Sequence, residues 1–461
     1  MFSRALKGVR YFFSDIAYWM RSHPLRGVLA VLVLALLVAG GVFAGAKLGG
    51  EETTLVESAP APEIFVGQGE APSEPAELGF PAFATRNTTR VAGADALANA
   101  AGVALATFPR GGVVKGPAAV TLIDAEDWAG GIAASSLVAE PVGAPILYTQ
   151  DGELDELTAG ALESLAPSGG SASGGAQIFK VGEAGEAEGL DTRAIEGSNA
   201  AEIAVEALEL REKLASEPPE HLLITTSDDP EFAMPAAAWA ARSGDPVLFA
   251  QADSVPSATL KAIERLEDVP IYILGPQSAI SSSAEKDIAA ASKSEVVRAA
   301  AEEDPIANAI AFARFFDDTF GWNINDPGHG FVIANTSRPS DAGAAAALSG
   351  TGKWGPLLLT DDSERPPPAL EGYLLDLKPG YEDDPTRAVY NHIWVIGNEE
   401  ALSVDAQVEL DEIAEVARVE SGSGEEILGP GASEPEAPDE PGARNEDEDK
   451  PKQGSKDSED Q

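Results

Sequence analysis

Three stretches of this chain repeat one order of elements roughly every hundred residues, and an internal repeat of that length restricts the fold more than any local feature. Each stretch has an apolar run, a small-residue helix, and a second apolar run entered through proline. They are AAVTLIDAEDWAGGIAASSLVAEPVGAPILYTQ, HLLITTSDDPEFAMPAAAWAARSGDPVLFAQ and GFVIANTSRPSDAGAAAALSGTGKWGPLLLTD, with Pro145, Pro246 and Pro356 at matching places. A further helix precedes each: GADALANAAGVALATF, GSNAAEIAVEALELREK and EEDPIANAIAFARFF. Asp95, Asn199 and Asp304 stand at their starts, where a short polar side chain caps the free amides of a first turn. A third short strand closes each set: AQIFKVGE, PIYILGPQSAIS and HIWVIGNEEALS. Apolar runs of four or five residues predict strands covered on both faces, hence parallel strands between helices. The expectation is an α/β protein of three tandem parallel-sheet units, Rossmann-like or Toprim-like, clustered about a pseudo-threefold axis.

Composition removes whole classes of function. The 461 residues contain 31 Lys+Arg against 76 Asp+Glu, a net charge of −45 that opposes nucleic-acid binding. With no cysteine, disulfides, thiolate metal sites and cysteine nucleophiles are absent; the four histidines (His23, His221, His329, His392) are too few for a His-rich metal centre, and His221, His329 and His392 share no spacing with a serine nucleophile. No Gly-x-Gly-x-x-Gly opens a helix after a strand, so the α/β layers imply no dinucleotide. No cofactor is expected beyond bridging Ca²⁺ or Mg²⁺.

The flanks read differently from the middle. From Gly27 the run GVLAVLVLALLVAGGVFAGA is long and apolar enough to cross a bilayer, with Arg4, Lys7, Arg10, Arg21 and Arg26 before it and Glu51 and Glu52 after it. This predicts a cytoplasmic basic segment over 1–26, a transmembrane helix over 27–47, and an extracellular remainder of a single-pass cell-membrane protein. A cleaved signal peptide is the rival reading, against which the basic segment is long. Residues 48–84 form an acidic Pro/Ala/Glu linker, and 420–461 an acidic tail too poor in apolar side chains to order. Repeats 1, 2 and 3 are assigned to 85–190, 191–295 and 296–419.

Repeated residues supply the candidate sites. Arg90, Arg193 and Arg298 precede the first helix of each unit and can grip a carboxylate or phosphate, or pair with acids of a neighbouring unit. Asp127, Glu231 and Asp341 stand before the Ala-rich helices, at the carboxyl ends of strands where α/β sheets place ligands. Asp124, Asp127, Asp228 and Asp229 offer oxygen ligands to Ca²⁺ or Mg²⁺, or cap the helices that follow. Trp128, Phe232, Trp239, Trp354 and Trp394 either stack on sugars or pack in the core.

The wording EDWAGGIAAS, APILYTQ, GPLLLTD, GPQSAIS and GNEEALS resembles the cell-wall-binding repeat type 2 family, in three degenerate copies spanning about 85–419. The resemblance implies three Rossmann-like units in one body, held non-covalently to an anionic envelope polymer. Three departures bear on binding. The family arginine after Gly-x-Asp is Ala96, Ala200 and Pro305; the acid before the Ala-rich helix is Glu231 in the second unit; and the first unit has VGEAGEAEG where the others have Gly-x-x-x-Ala-Ile/Leu-Ser. The function implied is non-catalytic binding or scaffolding of cell-wall polymer. An envelope enzyme acting on wall glycan or peptide, and a module kept for assembly with an envelope protein, stand as alternatives.

Overall fold

The computed structural model describes residues 83–108, 116–266, 268–350, 355–382 and 384–419. In chain order its elements begin with β1 (Phe83–Ala84), β2 (Thr88–Val91), α1 (Ala96–Thr107), β3 (Val120–Asp124), α2 (Trp128–Ala134), β4 (Ile146–Thr149), α3 (Glu156–Leu165) and β5 (Ile178–Val181). They continue with β6 (Thr192–Ile195), α4 (Ala200–Ala215), β7 (Leu222–Thr226), α5 (Pro230–Ser243), β8 (Val247–Ala250), α6 (Ser257–Arg265), β9 (Ile271–Leu274) and α7 (Ser282–Ala291). The last third holds β10 (Val296–Ala300), α8 (Pro305–Arg314), β11 (Gly330–Asn335), α9 (Asp341–Gly350), β12 (Leu357–Thr360), α10 (Pro368–Asp376), β13 (Gly380–Tyr381), β14 (His392–Ile396), α11 (Val404–Ala414) and β15 (Ala417–Arg418).

These strands build three sheets of one design, ordered β4-β3-β5-β6, β8-β7-β9-β10 and β12-β11-β14-β2. Every pairing within these sets is parallel, and β1 adds antiparallel to the outer edge of β2. The continuous apolar runs are therefore parallel strands with helices on both faces: Val120–Ile123, Leu222–Thr226 and Phe331–Asn335 are buried along their length.

The fourth strand of each sheet comes from the start of the following repeat. Thus β6 opens repeat 2 but completes the sheet of β3, β4 and β5, and β10 does the same for the second sheet. β2 has no earlier sheet to complete. It pairs with β14 at the far end of the chain, so the three units close into a ring.

The Ala-rich helices fill the centre. α2, α5 and α9 pack on one another, and α1, α4 and α8 wedge between units, α1 against α9 and α3, α4 against α2 and α6, α8 against α5 and α10. Small side chains permit this approach. A Cβ on Gly343 would lie 3.1 Å from Gly131 Cα and overlap the Tyr148 hydroxyl, and one on Gly350 would lie 2.6 Å from the Ala241 carbonyl oxygen. The predicted caps form: Asp95 Oδ1 accepts from Ala98 N at 2.9 Å, Asn199 Oδ1 from Glu202 N at 3.1 Å, and Asp304 Oδ1 from Ala307 N at 2.8 Å.

The third unit is further tied to the second by the segment after α8. Phe320 stacks on Tyr272 at 3.8 Å, Trp322 meets Trp239 edge-on, and Tyr272 donates to Asp317 at 2.6 Å. Trp239 and Phe232 are buried core residues, and Trp128 packs edge-on against Phe249. Trp354 lies outside the described residues, as do 1–47, the linker up to residue 82, and the tail from 420. Among the described residues no helix is long and apolar enough to cross a membrane, and the span assigned to 27–47 lies outside them.

Candidate functional site

Arg90 sits on β2, 2% exposed, and spends its guanidinium on the loop that follows β14. Its Nε donates to Gln407 Oε1 at 2.7 Å, Nη1 to the carbonyls of Gly397 and Asn398 at 2.9 and 3.0 Å, and Nη2 to that of Ser403 at 3.2 Å. Burial lowers its pKa to about 10, with Glu399 acting in the opposite direction. Arg298 on β10 repeats the arrangement, donating to the carbonyls of Gly275, Pro276 and Ile280 and to Glu285 Oε2. The Gly-x-x-x-Ala-Ile/Leu-Ser segment thus has a physical role. Its carbonyls converge on the arginine of the closing strand, while Ser281 and Ser403 cap the next helix.

The first unit has neither the segment nor the helix, and Arg193 shows the consequence. Ile195 lies opposite Val181, just before Gly182, as Val91 lies opposite Ile396, just before Gly397. The place of Arg90 is therefore taken by Ala194, and Arg193 is one residue out of step. It is half-exposed, without a hydrogen bond or ion pair among the described residues. The three arginines are thus not brought together on one face. Two clamp backbone and one stands apart.

The acids divide in the same way. Asp127 caps α2, accepting from Gly130 N at 2.8 Å, and burial raises its pKa. Asp124 accepts from Glu126 N at 3.0 Å and Gly152 N at 3.4 Å; Asp228 accepts from Ala252 N at 2.9 Å. Each pins the loop after the first strand of its sheet to the loop after the second. Asp229 stands exposed at the start of α5 without a capping bond. Glu231 lies in the first turn of α5, its pKa raised by burial and by Asp229, Asp304 and Asp361. Among the described residues no group of three or more His, Asp or Glu side chains is placed to hold a metal ion.

Asp341 differs from all of these. It is fully buried at the start of α9, where Asn99 Nδ2 of α1 donates to its Oδ1 at 2.9 Å and Arg338 Nε lies 3.0 Å from its Oδ2. Burial raises the carboxyl pKa against the lowering pull of Arg338 and Asn99. Above this pair opens a cleft of about 380 Å³ between the first and third units, lined by Ala94, Asp95, Ala96, Ala125, Pro339 and Ser340 together with Arg338 and Asp341. Tyr148 donates to the Ser340 carbonyl at 2.8 Å and Ser340 Oγ to the Ala125 carbonyl at 2.6 Å, so the first unit holds the rim of the third.

Neither Arg338 nor Asn99 stood out in the sequence. Asn99 had a usable signal, since a polar residue on the buried face of an Ala-rich helix demands a partner, and the Ala-Asn-Ala of α1 recurs in α8 around Asn308.

Residues 194–285 match the family described as cell wall binding domain 2 (CWB2). That match begins on β6 and ends in α7, and the units on either side share its strand order. Solved structures with this fold include two cell wall proteins. Cwp6 from Clostridium difficile superposes with a TM-score of 0.56 at 18% identity, covering 70% of this chain and 47% of its own. Cwp8 from Clostridium difficile gives 0.55 at 16%, covering 72% and 52%. The chain thus spans about half the length of the structures it matches. No curated protein matches it by sequence.

Proposed function

We propose that this is a membrane-tethered, extracellular, non-catalytic protein that binds or scaffolds cell-wall polymer through its ring of three α/β units. The observation that carries the reading is the CWB2 match over 194–285, within a ring whose three sheets share one strand order. The apolar run over 27–47 and its basic flank favour a tether with the ring outside, and the acidic linker favours a spacer between them. A binding role also suits the chemistry of the described residues. Among the described histidines, His221 and His329 pair with Asp245 and Asp326, and His392 hydrogen-bonds the Thr89 hydroxyl.

Within the ring, the cleft between the first and third units is the contact site we favour for the polymer, with Arg338 and Asp341 in its wall. Arg90 and Arg298 act in assembly of the ring. The full-length chain in detergent micelles, mixed with isolated cell walls and centrifuged, should sediment with them, in Ca²⁺ and in chelator alike. Failure to sediment in both would remove the binding function. Retention only with Ca²⁺ would assign the contact to a bridging cation.

A further inference from the structure

We propose that the cleft between the first and third units is a single saccharide subsite that takes neighbouring hydroxyls of an uncharged sugar, Arg338 donating to one and Asp341 accepting from the other. The inference rests on the reading of the chain as an envelope-polymer binder and names the part of the polymer it holds.

Two atoms point to this ligand. Arg338 Nη2 and Asp341 Oδ2 are both buried and neither has a hydrogen-bond partner. Arg338 Nε and Asp341 Oδ2 form an ion pair at 3.0 Å, which leaves the carboxylate oxygen a further lone pair to offer. A buried polar atom without a hydrogen bond is costly, and here such a donor lies beside an acceptor held only by an ion pair, both in the wall of one cleft. A hydroxyl both donates and accepts, so two adjacent hydroxyls satisfy both atoms. The Arg338 side chain retains 17% exposure and Asp341 none, so a ligand in the cleft meets the arginine first. Ala94, Ala96, Ala125 and Pro339 give the rest of the lining an aliphatic surface suited to the C–H face of a sugar ring.

Charge argues for a neutral ligand. Asp95 and Asp341 share the cleft with one guanidinium, already paired, and the chain around it carries −45. An anion would enter against that field, whereas an uncharged sugar would not feel it.

The same comparison limits the site to one per chain. Asp124, Thr226 and Asn335 hold equivalent places, opposite Thr149, Ala250 and Thr360 at the ends of their sheets. Between these places and the helix that follows stand Ala-Glu-Asp in the first unit, Ser-Asp-Asp in the second and the longer Thr-Ser-Arg-Pro-Ser in the third, so the third alone carries an arginine there and opens its helix with an aspartate. The donor and acceptor therefore occur together only between the first and third units.

The test uses the full-length chain in detergent micelles on an array of uncharged and anionic oligosaccharides, followed by titration calorimetry with the strongest uncharged binder at low and high salt. Binding of an uncharged oligosaccharide at one site per chain, unchanged by salt, is expected. Arg338→Gln should weaken it roughly ten- to hundredfold, the loss of one charge-assisted hydrogen bond. Ala94→Trp, at an exposed position in the lining, should block it without touching the buried pair, and Arg193→Ala should leave it unchanged. Binding of anionic oligosaccharides alone, weakened by salt, would overturn the proposal, as would three sites per chain or full binding by both cleft variants. A chain that sediments with walls yet binds no uncharged oligosaccharide would refute the subsite and leave wall binding standing. A chain that does neither would refute both.

Discussion

Arg90 and Arg193 occupy corresponding stretches of the repeat, yet their replacement by alanine should differ sharply in cost. In Arg90→Ala, the carbonyls of Asn398 and Ser403 border solvent and can turn to water, whereas the Gly397 carbonyl and Gln407 Oε1 are left buried with their donor gone. Two buried acceptors at roughly 1–3 kcal/mol each, less the relief of no longer burying a guanidinium, give a loss of about 3 kcal/mol. Arg193 forms no bond to lose among the described residues, and Arg193→Ala should fall within about 0.5 kcal/mol of the parent. Lysine at position 90 should recover only a minor part, because an ammonium cannot span acceptors arranged for a planar fork. Hydrogen exchange read by mass spectrometry, peptide by peptide, is the assay, since a molecule of three units need not unfold in one step. In Arg90→Ala, protection should fall in β2 and β14 and persist in β7 and β9. Equal protection in the two alanine variants, or loss spread evenly over all three sheets, would refute the clamp reasoning.

Gly343→Ala puts a methyl 3.1 Å from Gly131 Cα and against the Tyr148 hydroxyl, and should cost about 1–3 kcal/mol, visible as a lower thermal midpoint. His221 is half-titrated above its ordinary 6.5: burial works against the charge, but the bond to Asp245 and the nearby Glu220 and Asp317 outweigh it. Because the folded value is the higher, this stabilisation is whole below pH 6.5 and fades as pH rises through the folded value. Thermal midpoints should therefore drift down from about pH 6 to 8 in the parent, and His221→Gln should flatten that drift. Asp245→Ala should destabilise by about 2–4 kcal/mol, since it removes the acceptor of Trp239 Nε1 at 2.9 Å as well as the partner of His221, and tryptophan fluorescence during urea unfolding would report it.

Features that repeat at short range were readable from the amino acids alone. The apolar runs, the prolines before β4, β8 and β12, and the caps Asp95, Asn199 and Asp304 each act within a few residues, so spacing reveals them. Pairing of β2 with β14 leaves no local trace, because any apolar segment of that length fits an open edge of a parallel sheet. Equating Arg193 with Arg90 failed on one residue of register, and a shift of one turns a side chain to the other face. Asp127, Glu231 and Asp341 looked alike because each precedes an Ala-rich helix. Only the structure separates them: Asp127 caps α2 from outside it, Glu231 lies in the first turn of α5, and Asp341 is the wholly buried first residue of α9, after a loop two residues longer.

Closing the ring with the first strand has a consequence for synthesis. Arg90 and its carbonyl partner on Gly397 are 307 residues apart in the chain. At about 5–20 residues per second, β2 waits roughly 15–60 s on the ribosome for the strand it will join. The second sheet is assembled from consecutive stretches and can form while translation continues, whereas the third lacks β14, the inner strand that joins β11 to β2, until the ribosome has passed His392. A message cut before β14 would yield a protein with two finished sheets and an orphaned leading strand, so the order of manufacture makes the final stretch a checkpoint for the whole molecule.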